Sequence, residues 1–176
     1  CGLFDSRSVE PPSEPRSTYL QPTSPDIVIT NLNFAIAEKN LDNYLDVLQT
    51  VIFHSEDSDT FPMQYLFLRI RVSDMESENE RNYYSNLISF TNTNSSSNLF
   101  LSNTTFNSGI DSAIVDSDYI LIFDHNKQNV AKIAKGKLRF IMGVDSRSLW
   151  SVHGWYDFIN QNNDTTWSVI KANFAN

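Results

Sequence analysis

Apolar side chains in the first third of the chain recur at helical spacing, on one side of a helix that we expect to run from Ser24 to about Lys39. The positions on this side are Val28, Leu32, Ala35 and Ile36. The start of the helix carries N-terminal signals, because Ser24 can cap the first turn and Pro25 fits its first position.

Two further helices are predicted before the pattern changes. Asn40 ends the first helix, and the second shows an apolar side at Leu41, Tyr44, Leu45 and Leu48. The third is expected over residues 76–90, and its buried side consists of Tyr83, Tyr84, Leu87 and Ile88. Between them, residues 56–59 read as a polar loop, and residues 61–72 fit either a helix or a strand.

From Leu99 onward the apolar period becomes two, which predicts β-strands. Four strands are expected, at Leu99–Phe106, Ala113–Asp124, Val130–Gly143 and Leu149–Phe158. A segment rich in Asn, Ser and Thr, residues 91–98, precedes them as a loop. Residues 164–174 carry apolar side chains at helical spacing and are expected to form a short closing helix or turn.

Helices followed by a run of strands predict an α+β domain, in which the N-terminal helices pack on a long, curved antiparallel sheet. The third predicted strand alternates clearly, with Leu138 and Phe140 on one face and three basic side chains on the other, Lys135, Lys137 and Arg139. This basic stripe is read first as a solvated strand face, and second as a contact for an acidic partner or lipid headgroups.

The composition divides the chain into a tether and one domain. Residues 1–24 contain four prolines, several serines and mixed charge without a hydrophobic period, which is typical of an extended linker. Residues 25–176 hold the periodic segments and form the predicted domain. The net charge of -8 argues against a nucleic-acid partner, because phosphate binding needs a positive field.

The single cysteine is the first residue, Cys1, which excludes a disulfide within the chain. Cys1 resembles the first residue of mature bacterial lipoproteins, in which the thiol carries diacylglycerol and the amine an acyl chain. This resemblance implies a lipid anchor and a location in the bacterial cell envelope, on the periplasmic or surface face. Each buried methylene contributes about 0.8 kcal/mol, so two or three acyl chains would hold the protein firmly at a membrane.

Three passages of the domain resemble the nuclear transport factor 2-like superfamily, also known as SnoaL-like or cystatin-like cone folds. They are the helix pair ITNLNFAIAEKNLDNYL at residues 29–45, the strand LWSVHGWYD at 149–157 and the closing TWSVIKANF at 166–174. The resemblance implies a cone roll with a cavity between helices and sheet. In enzymes of this superfamily, such as ketosteroid isomerase and scytalone dehydratase, that cavity holds carboxylates, tyrosines or histidines with tuned acidities.

Four residues are candidates for a cavity or contact site: Tyr44, His153, Trp155 and Asp157. The last three have the same parity, so they are expected to share one face of their strand. Asp124 and His125 fall at a predicted turn, where exposure is expected. The three histidines lack ligand-like spacing and no glycine-rich phosphate loop occurs, so neither a metal site nor a cofactor is predicted.

Two functions therefore stay open. The first is a membrane-anchored lipoprotein that acts as a non-catalytic interaction or assembly module of the envelope, with an envelope protein or a second copy of the chain as partner. The second is a small-ligand binder, or an isomerase-like or dehydratase-like enzyme, that uses the cone. The second requires a deep, mostly apolar pocket on which polar groups converge.

Overall fold

The computed structural model describes residues 17–48, 52–55 and 74–175 of the chain. The helices are α1 (Pro25–Ala37), α2 (Leu41–Val47), α3 (Asp74–Ser89) and α4 (Trp167–Phe174). The strands are β1 (Ile52–Ser55), β2 (Ser97–Ser108), β3 (Ser112–Phe123), β4 (Ile133–Val144) and β5 (Trp150–Phe158). The predictions for Cys1 and for residues 61–72 lie outside the described residues.

The predicted helices are confirmed within a few residues at each end. The expected apolar side of α1 is buried, together with Ile29 and Asn31. Ser24 occupies the N-cap position, but its side chain makes no capping hydrogen bond, so the predicted capping role is wrong. Helix α2 does have a side-chain cap, because Asn40 accepts a hydrogen bond from the backbone N–H of Asn43.

The sheet has the strand order β1-β5-β4-β3-β2, and the four strands predicted from the sequence form its antiparallel part. Strand β2 forms one edge of the sheet and strand β1 the opposite edge, where β1 pairs with β5 in parallel. The sequence predicts no strand there, because four residues are too few to establish a period of two. The register shifts between Ser102 and Thr105 in β2, and between Ile141 and Met142 where β4 pairs with β5. Such bulges bend the strands and increase their twist.

The sheet has two different faces. The inner face lies under the helices and contributes Leu121, Phe140 and Trp155 to the core. The outer face carries the basic stripe of β4, where Arg139 and Lys137 lie beside acidic residues of β3. Arg139 Nε is 2.6 Å from Asp116 Oδ1, and Lys137 Nζ is 4.0 Å from Asp118 Oδ1. The predicted alternation of β4 is confirmed, and two of its three basic side chains, Lys137 and Arg139, have acidic partners on β3.

Residues 17–24, which the composition assigns to the tether, lie against the domain. The buried amide of Asn31 accepts a hydrogen bond from Leu20 N at 2.8 Å and donates one to Leu20 O at 2.7 Å. Trp150 N donates to Pro22 O at 2.8 Å. One side chain of α1 and the first residue of β5 thus fix the path of this segment.

Candidate functional site

Aromatic rings occupy the space between the inner face of the sheet and the helices. Tyr44 of α2 stacks on Tyr84 of α3, with ring centroids 3.9 Å apart and planes 10° from parallel. Trp155 of β5 meets Trp167 of α4 edge-on at 4.5 Å, and Phe140 of β4 at 5.1 Å. All five side chains are at least 99% buried. The helix pair and the sheet are therefore joined by directly touching rings.

Asp157 is buried in this interior, but its carboxylate serves the start of α4. Oδ2 accepts hydrogen bonds from Ser168 N at 2.7 Å and from the Ser168 hydroxyl. Oδ1 accepts one from the Tyr119 hydroxyl at 2.7 Å. A carboxylate at a helix N-terminus satisfies unpaired N–H groups and interacts favourably with the helix dipole. Asp157 therefore caps α4 from a neighbouring strand, since the N-cap residue Thr166 makes no side-chain cap.

Tyr119 completes this cap. Its hydroxyl oxygen accepts a hydrogen bond from Trp167 N at 2.7 Å, while its proton goes to Asp157. Burial, and after it the nearby negative charge of Asp157, raise the pKa of Tyr119 far above its usual value, which keeps the donating proton in place. Gly136 makes room for this hydroxyl, because a Cβ there would lie 2.9 Å from Tyr119 Oη and 2.5 Å from Phe158 O.

A second polar group in the interior is the ion pair of Lys171 on α4 and Glu80 on α3, which bridges the two helices. The Lys171 ammonium also lies 4.0 Å from the ring centroid of Trp155. Tyr44 donates to the second oxygen of Glu80 at 3.0 Å. Burial lowers the pKa of Lys171, and the charge of Glu80 opposes that effect. The ring of Trp155 and a second hydrogen bond, from Tyr44 to Glu80, thus hold the pair in place.

Three of the four predicted site residues meet in this interior, directly or through shared neighbours: Tyr44, Trp155 and Asp157. His153 does not, and the prediction that it shares a face with Trp155 and Asp157 is wrong. Ile141 pairs with Gly154 but Met142 pairs with Val152, so His153 is the extra residue of a bulge. Its exposed ring lies over Gly143, and Nε2 is 3.1 Å from Ser151 Oγ.

The predicted exposure of the turn at residues 124 and 125 is confirmed for Asp124 and wrong for His125. Asp124 is exposed and pairs with Lys132 at 2.6 Å. His125 is 99% buried, because the turn folds under Phe174 of α4, and the two rings meet edge-on at 5.0 Å. Its Nδ1 accepts the backbone N–H of Lys127 at 3.3 Å, and its Nε2 lies 3.0 Å from Ala131 O. Both ring nitrogens are therefore used to hold the turn.

Sequence reasoning missed Glu80, Tyr119 and Lys171. Weak signals existed, since Tyr119 alternates with the apolar residues of β3 and Lys171 lies four residues after Trp167 on the same helix side. A charged residue on an apolar stripe is a sign of an internal partner. The partner itself, Glu80, lies 91 positions away in the sequence, and only the fold brings the two together.

Two surface clefts formed by described residues lie apart from this interior. One, of about 340 Å³, is bordered by residues 19–22, the end of α2 and the β4–β5 turn. The other, of about 310 Å³, lies between the end of α1 and residues 91–95. No group of three or more potential metal-ligating side chains occurs in the described part of the chain. The interior residues are joined by ring contacts and by the hydrogen bonds of Asp157 and Glu80.

No helix among the described residues has the length and apolar character needed to cross a membrane.

No family model and no curated protein match the chain. Solved structures share its fold at low sequence identity. A Mycobacterium tuberculosis protein of unknown function superposes with a TM-score of 0.54 at 8% identity, over 78% of this chain and 70% of that one. A candidate scytalone dehydratase from Novosphingobium aromaticivorans gives 0.54 at 8% identity, over 80% and 88% of the two chains.

A nuclear transport factor 2-like superfamily protein from Salmonella enterica superposes with a TM-score of 0.52 at 11% identity, over 77% of this chain and 89% of that one. At such identities a likeness reports the fold alone. The chain has the nuclear transport factor 2-like fold, as the three sequence passages imply.

Proposed function

We propose that this protein is a non-catalytic interaction or assembly module rather than an enzyme. The observation that carries the proposal is the use of the interior carboxylate. Both oxygens of Asp157 are engaged by the cap of α4, and large rings surround it. A general base needs a free lone pair within reach of a substrate proton. In this protein three hydrogen bonds to the Asp157 oxygens stabilise the fold instead.

An apolar patch on the outer face of the sheet supports a contact function. The outer-face patch consists of Phe100 on β2, Ile120 on β3 and Ile133 on β4, which are 54%, 40% and 46% exposed. Phe100 and Ile120 are direct cross-strand partners, and Ile133 pairs with the neighbouring Ile122. Exposed apolar side chains that adjoin across several strands mark protein contact sites more often than isolated ones. We assign the patch to partner binding.

The alternative function, a small-ligand site or isomerase-like chemistry in the cone, has less support. The candidate dehydratase among the structural neighbours shares only the fold with this chain. The described interior offers an ion pair, Glu80 with Lys171, but each of its members is already committed to the other and to a ring or hydroxyl group. A catalytic cone would instead leave polar groups converging on open volume.

The experiment compares chemical cross-linking of the full chain in native envelopes for three forms. The patch variant carries Phe100→Ser and Ile120→Ser, and the matched control carries Val169→Ser on α4, an equally exposed apolar residue outside the patch. We expect a discrete complex with wild type and control and at least a tenfold loss with the patch variant, because the apolar contact area is removed. Equal complex formation by the patch variant, or an isolated monomer for wild type, would contradict the proposal.

The proposal includes the lipid anchor at Cys1, which would limit the partners to proteins of the envelope. Its support is the lipoprotein-like start of the sequence together with the proline-rich and serine-rich run that follows it. Two or three acyl chains give stable membrane binding, whereas one gives only reversible binding.

A further inference from the structure

The larger surface cleft, which we call the N-terminal cleft, is a preformed volume at the edge of the domain. It measures about 340 Å³, and its lining includes Tyr19, Gln21, Asp46, Arg147 and Trp150. Its walls are fixed by the hydrogen bonds of Asn31 with Leu20 and of Trp150 with Pro22. A volume of this size suits a small ligand or one side chain of a partner.

The charge of the cleft is set by three side chains. Arg147 is bound by its neighbour Asp145, whose Oδ2 lies 2.8 Å from Nε and 2.7 Å from Nη2. The other oxygen of Asp145 accepts the backbone N–H groups of residues 147 and 149, so the turn holds this ion pair in place. The positive charge of Arg147 is thus compensated locally. Asp46 adds one negative charge, and no ion pair or hydrogen bond of its carboxylate is found within the described part of the chain.

Asp46 lies at the helix end where the backbone itself carries partial negative charge. It lies in the last turn of α2, which contains no basic side chain. The unpaired carbonyls at a helix C-terminus carry partial negative charge, so a carboxylate there is repelled. Asp46 thus departs from the preference for basic side chains at a helix C-terminus, and no described ion pair offsets it. Such departures from local preference are typical of binding sites.

Two aromatic residues are among those that line the cleft: Tyr19, which is half-buried, and Trp150, which is mostly buried. The same Tyr19 hydroxyl experiences both charges, because Asp46, after burial, raises the pKa of Tyr19, while Arg147 lowers it. Ring and carboxylate therefore border one volume. Aromatic faces attract cations through their negative quadrupole.

We propose that the N-terminal cleft binds an organic cation, a primary ammonium or guanidinium group that pairs with Asp46 and lies against the rings of Tyr19 and Trp150. The cation belongs either to a free amine or to a lysine or arginine side chain of another protein. The cleft is separate from the outer-face patch and from the aromatic interior, so this inference does not depend on the proposed function.

Nuclear magnetic resonance titrations of the full chain test the inference with four probes. Butylamine represents a free amine, and Nα-acetyl-lysine methylamide represents a protein side chain. In the Nε-acetylated form of the latter, an acetyl group replaces the positive charge with a neutral amide, and butyrate carries a negative charge instead. We expect saturable shifts at the Trp150 indole and the Leu20 amide with both amines and none with the neutral or anionic probe. A lysine derivative that binds at least tenfold more tightly than butylamine identifies a protein side chain, and equal binding identifies a free amine.

Two variants make the test specific. Asp46→Asn should weaken amine binding about fivefold or more, equivalent to about 1 kcal/mol. Asp42→Asn removes the same charge from an exposed position at the other end of α2 and should leave binding unchanged. Both residues are exposed, so both variants should retain the fold. Unchanged binding in Asp46→Asn, absence of amine-induced shifts at Trp150, or tighter binding of butyrate would each overturn the inference.

Discussion

At the scale of single residues, a catalytic-looking carboxylate has a structural use in this protein. Asp157 lies on a strand beside Trp155, where the resemblance to cone-fold enzymes makes it a candidate acid or base. Its oxygens instead satisfy the N–H of Ser168 and the hydroxyl of Tyr119. Buried charges are tolerated when such bonds surround them, and they become costly when one partner is removed.

This assignment predicts the effect of Asp157→Asn on stability. The amide replaces one accepting oxygen with a donor, which then faces either the Tyr119 hydroxyl or the Ser168 N–H. We expect the free energy of unfolding to fall by about 1–3 kcal/mol, measured by urea denaturation.

The matched control is Asp116→Asn on the outer face, where a half-exposed ion pair with Arg139 should contribute about 0–1 kcal/mol. Catalytic carboxylates are often placed at a cost in stability, so their removal stabilises the fold. A more stable Asp157→Asn protein would therefore favour an active site over a helix cap.

At the scale of elements, the extended segment 17–24 behaves as part of the domain because one helix side chain binds it. The amide of Asn31 forms the same donor and acceptor pair with Leu20 that a neighbouring strand would form. The side chain is fully buried while the segment is in place, so these two bonds to Leu20 satisfy an amide that water does not reach in the folded state. The start of the domain is thus determined by a side chain on α1.

Substitution of this side chain should release the segment. In Asn31→Ala, hydrogen exchange at the Leu20 amide should become about tenfold faster or more, because a net hydrogen-bond free energy of about 1–2 kcal/mol is lost. The exchange at Trp150 N, which donates to Pro22 O, should also increase. Thr30→Ala on the same helix provides the control, since its hydroxyl bonds only to Asp26 O within α1. Unchanged protection at Leu20 would show that other contacts hold the segment.

At the scale of the whole molecule, the described fold combines a filled interior with two surfaces suited to contact. Touching rings occupy the space between helices and sheet, whereas the outer-face patch and the N-terminal cleft lie on the surface. The net charge of -8 creates a negative field that attracts cationic groups more than anionic ones. The proposed binding function rests on these two surfaces.

The lipid anchor proposed for Cys1 predicts that the protein is attached to a membrane. We expect the intact protein from its own cells to carry a mass increment of two or three acyl chains and to sediment with membranes. A Cys1→Ser form should be unmodified and soluble, while its domain unfolds at the same urea concentration as wild type. An unmodified Cys1 thiol on the native protein would refute the anchor. It would not affect the proposals for the outer-face patch and the N-terminal cleft.

Local pattern determined much of this protein without reference to the fold. The helical stripe of α1 and the alternation of β3 and β4 follow from burying one side of each element, so spacing alone indicates both element and face. The sequence did not predict strand β1, because this strand is short and is defined by its pairing with β5. The face of His153 was mispredicted because a bulge adds one residue to β5 there and reverses the alternation of faces. Residue spacing alone does not reveal such a bulge.

The roles of the site residues were decided by the tertiary structure. Trp155 and Asp157 were identified from sequence as candidates for a cavity or contact site, but the cap on α4 needs Tyr119, 38 positions from Asp157. Lys171 and Glu80 pair across 91 positions. Apolar burial is a property of each residue and its near neighbours, so a sequence encodes it locally. A hydrogen bond or ion pair depends on which distant partner the folded chain brings within about 3 Å, and that is fixed only when helices and sheet have packed together.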